Sequence, residues 1–151
     1  HMIDIDQIDR KILQELERDG RMSNTQLAQR VGLSASACLR RVQELERKNV
    51  ILGYRANLNR AHVGGGVTIY VTVGLDSHTK QDQAHFEKAM LKASQVRECH
   101  NVSGTIEYIL RVEVSDLDAY KYFHTEVLGT VPHVRTITSH FCISSPKDER
   151  G

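Results

Sequence analysis

The 151-residue chain contains no tryptophan, only two prolines and three cysteines, and no apolar run long enough to cross a membrane. Three cysteines, an odd number without a CxxC pair, argue against the disulfide framework of small secreted proteins. The absence of a long apolar run and of a secretory leader pattern predicts a cytoplasmic protein without a membrane partner.

The sequence also lacks the common catalytic motifs, because it contains no nucleophile elbow, phosphate-binding loop or HExxH pattern. Its eight histidines do not indicate a metal site. His100 follows Cys99, and His140 lies two residues before Cys142, and neither pair has the spacing of a structural zinc site. We therefore expect no enzyme, no catalytic residues, no metal and no cofactor.

The chain as a whole is nearly neutral, but one of its segments is strongly basic. The formal net charge is +1, whereas residues 21–60 hold eight Lys and Arg against two acidic residues, a local charge of +6. A basic segment of this kind is typical of nucleic-acid binding.

The basic segment contains two helical patterns joined by a tight turn. Ser23 and Ser34 are typical N-caps, and Gly32 supplies the left-handed residue that commonly ends a helix. An upstream helix, with Asp6 as its cap, completes a small three-helix core. Inward-facing positions are expected at Ile8, Ile12, Leu13, Leu16, Leu27, Ala28, Val31, Cys38, Leu39, Val42 and Leu45.

The second helix of the pair combines small and cationic residues on its outer side. Small residues beside arginines suit insertion into a major groove, where arginine binds a guanine edge or a phosphate. Helix pairs with a glycine turn also occur in ordinary bundles, so the spacing alone leaves both interpretations open. The DNA-contacting residues expected here are Ser34, Ser36, Ala37, Arg40, Arg41 and Arg47.

The segment that follows predicts a wing and a hinge. Residues 50–58 have the pattern of a β-ribbon, and residues 60–66 end in three consecutive glycines that cannot lie inside a stable helix. Gly65 and Gly66 fit equally well at the start of a strand. We divide the chain into a winged helix-turn-helix domain at 1–59, a hinge at 60–66 and a second domain at 67–151.

The second domain has the order β-α-β-β-α-β. This order predicts one antiparallel sheet with two helices on one face, the ferredoxin-like arrangement, and an overall α+β fold class. The strands are expected at residues 67–75, 96–103, 108–114 and 134–143, and the helices at 81–93 and 116–128.

Four segments in this order and spacing resemble the Lrp/AsnC (feast/famine) family of transcription regulators. They are IDRKILQELERDGRMSNTQLAQRVGLS, CLRRVQELE, NVILGY at the wing and ECHNVSGTIEYILRV in the second domain. The resemblance implies a homodimer or higher even oligomer, an octamer included, whose second domains pair through their sheets. It also implies that a small molecule, usually an amino acid, binds between these domains and alters DNA binding.

Residue types in the second domain suit such a ligand. The turn at Ser103, Gly104 and Thr105 offers backbone amides to a carboxylate, and Glu107 offers an acceptor to an ammonium. A plain turn and a surface ion pair would use the same residues, so the motif alone does not decide. The effector-binding residues expected from the resemblance are Ser103, Gly104, Thr105, Glu107, Tyr108, Thr138, Ser139 and His140.

The chain departs from the family pattern in two places. Ala35 and Ala37 stand where relatives often carry prolines before the reading helix, and Glu107 stands where an aspartate is common. The longer acid leaves the identity of the effector open. The expected function is a sequence-specific, nucleoid-associated transcription regulator. An architectural nucleoid protein without effector and an enzyme built on the ferredoxin-like domain remain alternatives.

Overall fold

The structure is a computed structural model that describes residues 4–60 and 62–150. The chain forms two compact units, one made of the residues up to Leu58 together with the C-terminal residues from Glu149, and one spanning Asn59–Asp148. The first unit contains helices α1 (Gln7–Arg18), α2 (Asn24–Val31) and α3 (Ala35–Arg47). All three helices begin at the residues expected from their sequence.

The caps of these helices are the predicted ones. The side chains of Asp6, Ser23 and Ser34 accept hydrogen bonds from backbone amides three residues on, at 2.7, 3.2 and 3.2 Å. Gly32 has a φ of 75° and ends α2 in the left-handed conformation. The core beneath is formed by Ile12, Leu27, Ala28, Val31, Cys38 and Leu45.

Two details of the first unit differ from expectation. Leu39 was expected to face inward, but its side chain is 45% exposed, because the buried stripe of α3 runs through Cys38 and Leu45 instead. The β-ribbon expected over residues 50–58 is also not formed. Val50 and Ile51 donate to the carbonyl of Leu45 at 2.9 and 3.1 Å, and no strand is present among described residues 48–60. A β-ribbon requires a partner strand, and the described residues of this unit contain none.

The second unit has the predicted β-α-β-β-α-β order. Its elements are β1 (Val67–Leu75), α4 (Lys80–Lys92), β2 (Val96–Asn101), β3 (Tyr108–Val114), α5 (Leu117–Tyr122) with a π-helical continuation (Phe123–Leu128), and β4 (Val134–Phe141). The sheet order is β2-β3-β1-β4, and every neighbouring pair is antiparallel. Leu117 is 65% exposed because it occupies the first turn after the Asp116 cap.

The sheet has one covered and one open face. On the covered face the helices pack against completely buried strand residues such as Ile69, Val71, Val73, Leu110 and Val112. Because strand side chains alternate, the residues between them lie on the other side, which we call the open face. The register places the following residues on the open face: Thr68, Tyr70, Thr72, Ile109, Arg111, Glu113, Glu98, His100, Thr136, Thr138 and His140.

Candidate nucleic-acid interface and small-molecule site

The outward surface of α3 carries a patch of four exposed side chains opposite Cys38 and Leu45. These are Ser36, Leu39, Arg40 and Gln43, which we call the reading patch. Each neighbours two others of the set at a spacing of three or four residues, so the four are adjacent on the helix surface. Sequence reasoning missed Leu39 and Gln43 because it centred the buried stripe too close to Leu39. Centring it on Cys38 and Leu45 would have found both.

The two adjacent arginines of α3 have different roles in the structure. Arg41 is half-buried, and its Nη1 lies 2.5 Å from Oδ2 of Asp6 and 3.1 Å from Oδ1 of Asp9. The hydrogen bond from Arg41 lowers the pKa of Asp6. Because Asp6 also caps α1, this ion pair joins the start of α1 to the middle of α3. Arg40 is exposed and has no ion pair or side-chain hydrogen bond with a described residue.

The remaining predicted DNA contacts are divided between structural and exposed positions. Ser34 uses its hydroxyl as the α3 cap, and Ala37 is half-buried. Arg47 is exposed, with Nε 3.0 Å and Nη2 2.5 Å from the carboxylate oxygens of Glu44. This contact lowers the pKa of Glu44 from 4.5 to about 2. An exposed pair of this kind contributes little to stability, so Arg47 can leave it at small cost.

The loop between β2 and β3 carries the turn at residues 103–105 for which we expect a ligand-binding role. The amide of Val102 donates to the carbonyl of Glu107 at 2.9 Å and closes the loop at residues 102–107. Gly104 has a φ of 122°, a conformation that favours glycine, and a Cβ placed there would meet no atom within 4 Å. The amides of Ser103, Gly104 and Thr105 donate no hydrogen bond within the described residues.

Glu107 is held at the end of β1. Its Oε2 accepts a hydrogen bond from the amide of Leu75 at 2.7 Å, while Oε1 lies 3.5 Å from Nδ1 of His78. Thr136 lies beside this carboxylate, since a Cβ at Gly74 would be 2.3 Å from Thr136 Oγ1 and 3.6 Å from Glu107 Oε2. The sequence did not indicate Thr136 as a site residue, because its proximity to Glu107 depends on the register between β1 and β4. The carboxylate is therefore fixed, with one oxygen directed toward an exposed histidine.

The other predicted effector residues lie on both faces of the sheet. Thr138 and His140 lie on the open face, opposite Thr72 and Tyr70. Ser139 lies on the covered face, where its hydroxyl bonds the hydroxyl of Tyr120.

Tyr108 also lies on the covered face. It is 1% exposed, packs against Phe86 with ring centroids 4.5 Å apart, and donates its hydroxyl to Glu87. Burial raises the pKa of Tyr108. Glu107 and the 103–105 turn thus belong to one hydrogen-bonded loop, whereas Tyr108 is directed into the core.

Among the described residues, no cluster of three or more His, Cys, Asp or Glu side chains is placed to hold a metal ion. No described helix is long and apolar enough to span a bilayer. The two candidate sites are the reading patch of α3, with its exposed arginine and glutamine, and the β2–β3 loop, with the fixed carboxylate of Glu107.

Two models of known protein families match the chain. Residues 68–151 match the model of the Lrp/AsnC ligand binding domain, and residues 5–51 match a winged helix-turn-helix DNA-binding model. The chain belongs to the Lrp/AsnC family. Its fold class, a helix-turn-helix unit followed by a four-stranded antiparallel α/β unit, is confirmed, and it is a DNA-binding transcription regulator.

Characterised relatives cover almost the whole of this Lrp/AsnC regulator. The Bkd operon transcriptional regulator of Pseudomonas aeruginosa is 42% identical over 144 residues, covering 95% of this chain and 94% of its own. The leucine-responsive regulatory protein of Escherichia coli is 38% identical over 144 residues, which cover 95% of this chain and 88% of its own.

Two solved structures of similar fold contain an amino acid. A transcriptional regulator of Neisseria meningitidis in complex with L-Met has a TM-score of 0.85 and 30% identity, covering 96% of this chain and 94% of its own. A feast or famine regulatory protein of Mycobacterium tuberculosis complexed with L-methionine has a TM-score of 0.81 and 30% identity, with 98% coverage of both chains.

Proposed function

We propose that this Lrp/AsnC regulator binds a free amino acid through its second unit, and that binding changes its affinity for DNA. The observation that carries the proposal is the L-Met found in two neighbours of the same fold. In this assignment residues 1–59 bind DNA, residues 60–66 act as a hinge, and residues 67–151 bind the effector and form the oligomer.

The chemistry of the Glu107 loop supports this ligand class. A free amino acid presents an ammonium and a carboxylate. Glu107 Oε1 accepts a charge-assisted hydrogen bond from the ammonium without disturbing Oε2, which is bound to Leu75. The amides of Ser103, Gly104 and Thr105 supply donors for the carboxylate. Both ends of the zwitterion therefore find groups of opposite character near one loop.

The open face supports an oligomer as the setting for this site. Its charged residues already pair within the sheet, since Arg111 contacts both Glu98 and Glu113, the latter at 2.7 Å. A second sheet covering this face would therefore bury Arg111, Glu98 and Glu113 with the partners that they already have. Thr138 and His140 of the second copy would face the loop in this assembly, whereas Ser139 keeps its contact with Tyr120. We propose a homodimer or higher even oligomer.

A mobility-shift titration with and without a panel of amino acids, combined with calorimetry, tests the proposal. We expect at least one amino acid to release heat and to shift DNA affinity, and DNA to shift amino-acid affinity by the same factor. Specific DNA binding with no heat from any amino acid would favour the architectural function. Turnover of a small molecule without DNA binding would favour an enzyme.

A further inference from the structure

The reading patch contains two polar side chains that the protein itself does not use. Arg40 and Gln43 are exposed and form no side-chain hydrogen bond or ion pair with a described residue. The other cations of α3 and of its C-cap form ion pairs within the protein. Arg41 binds Asp6 and Asp9, and Arg47 and Lys48 contact Glu44. Long polar side chains without protein partners are the ones available to a ligand.

We propose that Arg40 reads a guanine and Gln43 reads an adenine at neighbouring base pairs of the operator half-site. Leu39 contacts the methyl group of a thymine beside that adenine. This inference rests on the DNA binding of α3 and adds to it the sequence that α3 selects.

The side-chain chemistry determines the base assigned to each residue. Arginine donates two hydrogen bonds to O6 and N7 of guanine, and the glutamine amide both accepts from N6 and donates to N7 of adenine. Leu39 is 45% exposed although it is apolar, and a thymine methyl is the apolar feature of the major groove. Ser36 has a short side chain whose hydroxyl both donates and accepts hydrogen bonds, so it discriminates weakly between bases.

The spacing of the three residues fits neighbouring base pairs. Arg40 and Gln43 are three residues apart, which corresponds to about 4.5 Å along a helix axis, against about 3.4 Å between stacked base pairs. Leu39 lies one turn before Gln43 on the same side of the helix, so the two contact one base pair or two adjoining ones.

Arg41 and Arg47 fit less well as base readers. Moving Arg41 to DNA would leave Asp9, whose side chain is 17% exposed, without its cation. Arg47 is free to leave Glu44, but it is the last residue of α3, one turn beyond Gln43 and farther from the N-terminal part with which recognition helices read bases. Arg47 is therefore assigned to a phosphate, which carries no sequence information.

The experiment begins with selection of half-sites from random duplex DNA by the full-length protein. Mobility-shift titrations then follow with every single base-pair change in the selected site. We expect a guanine next to an adenine, and about ten-fold or greater loss of affinity when either is changed. Wild-type protein that binds all sequences equally would overturn base reading and would favour the architectural function, while amino-acid binding is scored separately.

Three variants assign the bases to residues. Gln43→Ala is expected to lose discrimination at the adenine alone, and Arg40→Ala at the guanine alone. Gln43→Glu is expected to change the preferred base to cytosine, since a carboxylate accepts from its N4 amino group. A merely structural role for Gln43 would not produce that change.

Arg47→Ala is the matched control. This variant is expected to bind all DNA sequences more weakly by the same factor. The slope of log affinity against log salt concentration is expected to become shallower by about one unit. Circular dichroism checks that each variant is folded. Full discrimination by Gln43→Ala at every position, or unchanged base preference in Gln43→Glu, would overturn the assignment.

Discussion

The outer surface of α3 and the open face of the sheet are both solvent-exposed and rich in charge, but they use that charge differently. On the open face, Arg111 is only 12% exposed and is bound by Glu98 and Glu113, and Arg97 lies 3.7 Å from Glu113, so each of these charges has a partner of opposite sign. On α3, Arg40 has no partner among the described residues, although its neighbour Arg41 has two.

The difference shows that the number of arginines in a segment does not measure the charge available to a partner. Residues 21–60 carry a formal +6, but Arg30, Arg41 and Arg47 each contact a carboxylate within the first unit. A self-neutralised surface suits a second copy of the chain, whereas an unpaired arginine suits a phosphate or a base. The predictions below test whether the two surfaces are separated in this way.

The largest expected effect is on assembly, from Ile109→Asp on the open face. Ile109 is half-buried and lies opposite Thr72 on β1 and His100 on β2. An unpaired carboxylate buried between two sheets costs several kcal/mol, so we expect a monomer by light scattering at micromolar concentration.

The matched control for assembly is Leu91→Asp, which introduces the same charge on α4 at a side chain that is 87% exposed. It should keep the mass of the wild-type oligomer. An unchanged oligomer with Ile109→Asp, or a monomeric wild type, would contradict the interface.

The second prediction concerns the effector and Glu107→Gln. Glutamine keeps an oxygen for the amide of Leu75 but removes the charge that we assign to the ammonium. The expected loss is about 1.5–3 kcal/mol, or ten-fold or more in amino-acid affinity, measured by calorimetry.

Glu126→Gln, on the exposed surface of the π-helical segment, is the control for the Glu107 variant and should bind as the wild type does. Gly104→Val should also weaken binding, but it strains a residue with a φ of 122° and is the less specific test. Equal affinity of Glu107→Gln and wild type would place the amino acid elsewhere.

The third prediction separates the two adjacent arginines. Arg41→Ala leaves the partly buried Asp9 unpaired and should lower the free energy of unfolding by about 1–2 kcal/mol in urea titrations followed by circular dichroism. Arg40→Ala should leave stability unchanged and weaken DNA binding. If both variants were equally stable, Arg41 would not join α1 to α3.

The smallest expected effect is the acid dependence of the Glu44–Arg47 pair. Because Arg47 lowers the pKa of Glu44 from 4.5 to about 2, the pair stabilises the folded state above pH 4.5. That contribution is lost as the pH falls from 4.5 toward 2. Thermal unfolding from pH 7 to pH 2 should show a smaller acid-induced fall in Tm for Glu44→Gln, and identical pH profiles would argue against the pair.

Local signals in the sequence were sufficient for most of the fold. The Ser23 and Ser34 caps, the left-handed Gly32 and the alternation of β1 depend on residues within one or two turns of each other. The turn at Ser103, Gly104 and Thr105, together with Glu107, was identified in the same way. Such features need no knowledge of what lies across the fold, and the helices and strands that they predict are present in the structure.

Only the tertiary structure decided which side chains already have a hydrogen-bond or ion-pair partner within the protein. Asp6 lies 35 residues before Arg41, and Leu75 lies 32 residues before Glu107, so no helical or strand period connects them. Thr136 is likewise far from Gly74 in the sequence. Residues 50–58 have the pattern of a strand but pair with no described strand of their own unit. Local sequence determines where helices and strands begin and end, whereas the availability of a charge or of a strand edge depends on contacts between distant segments.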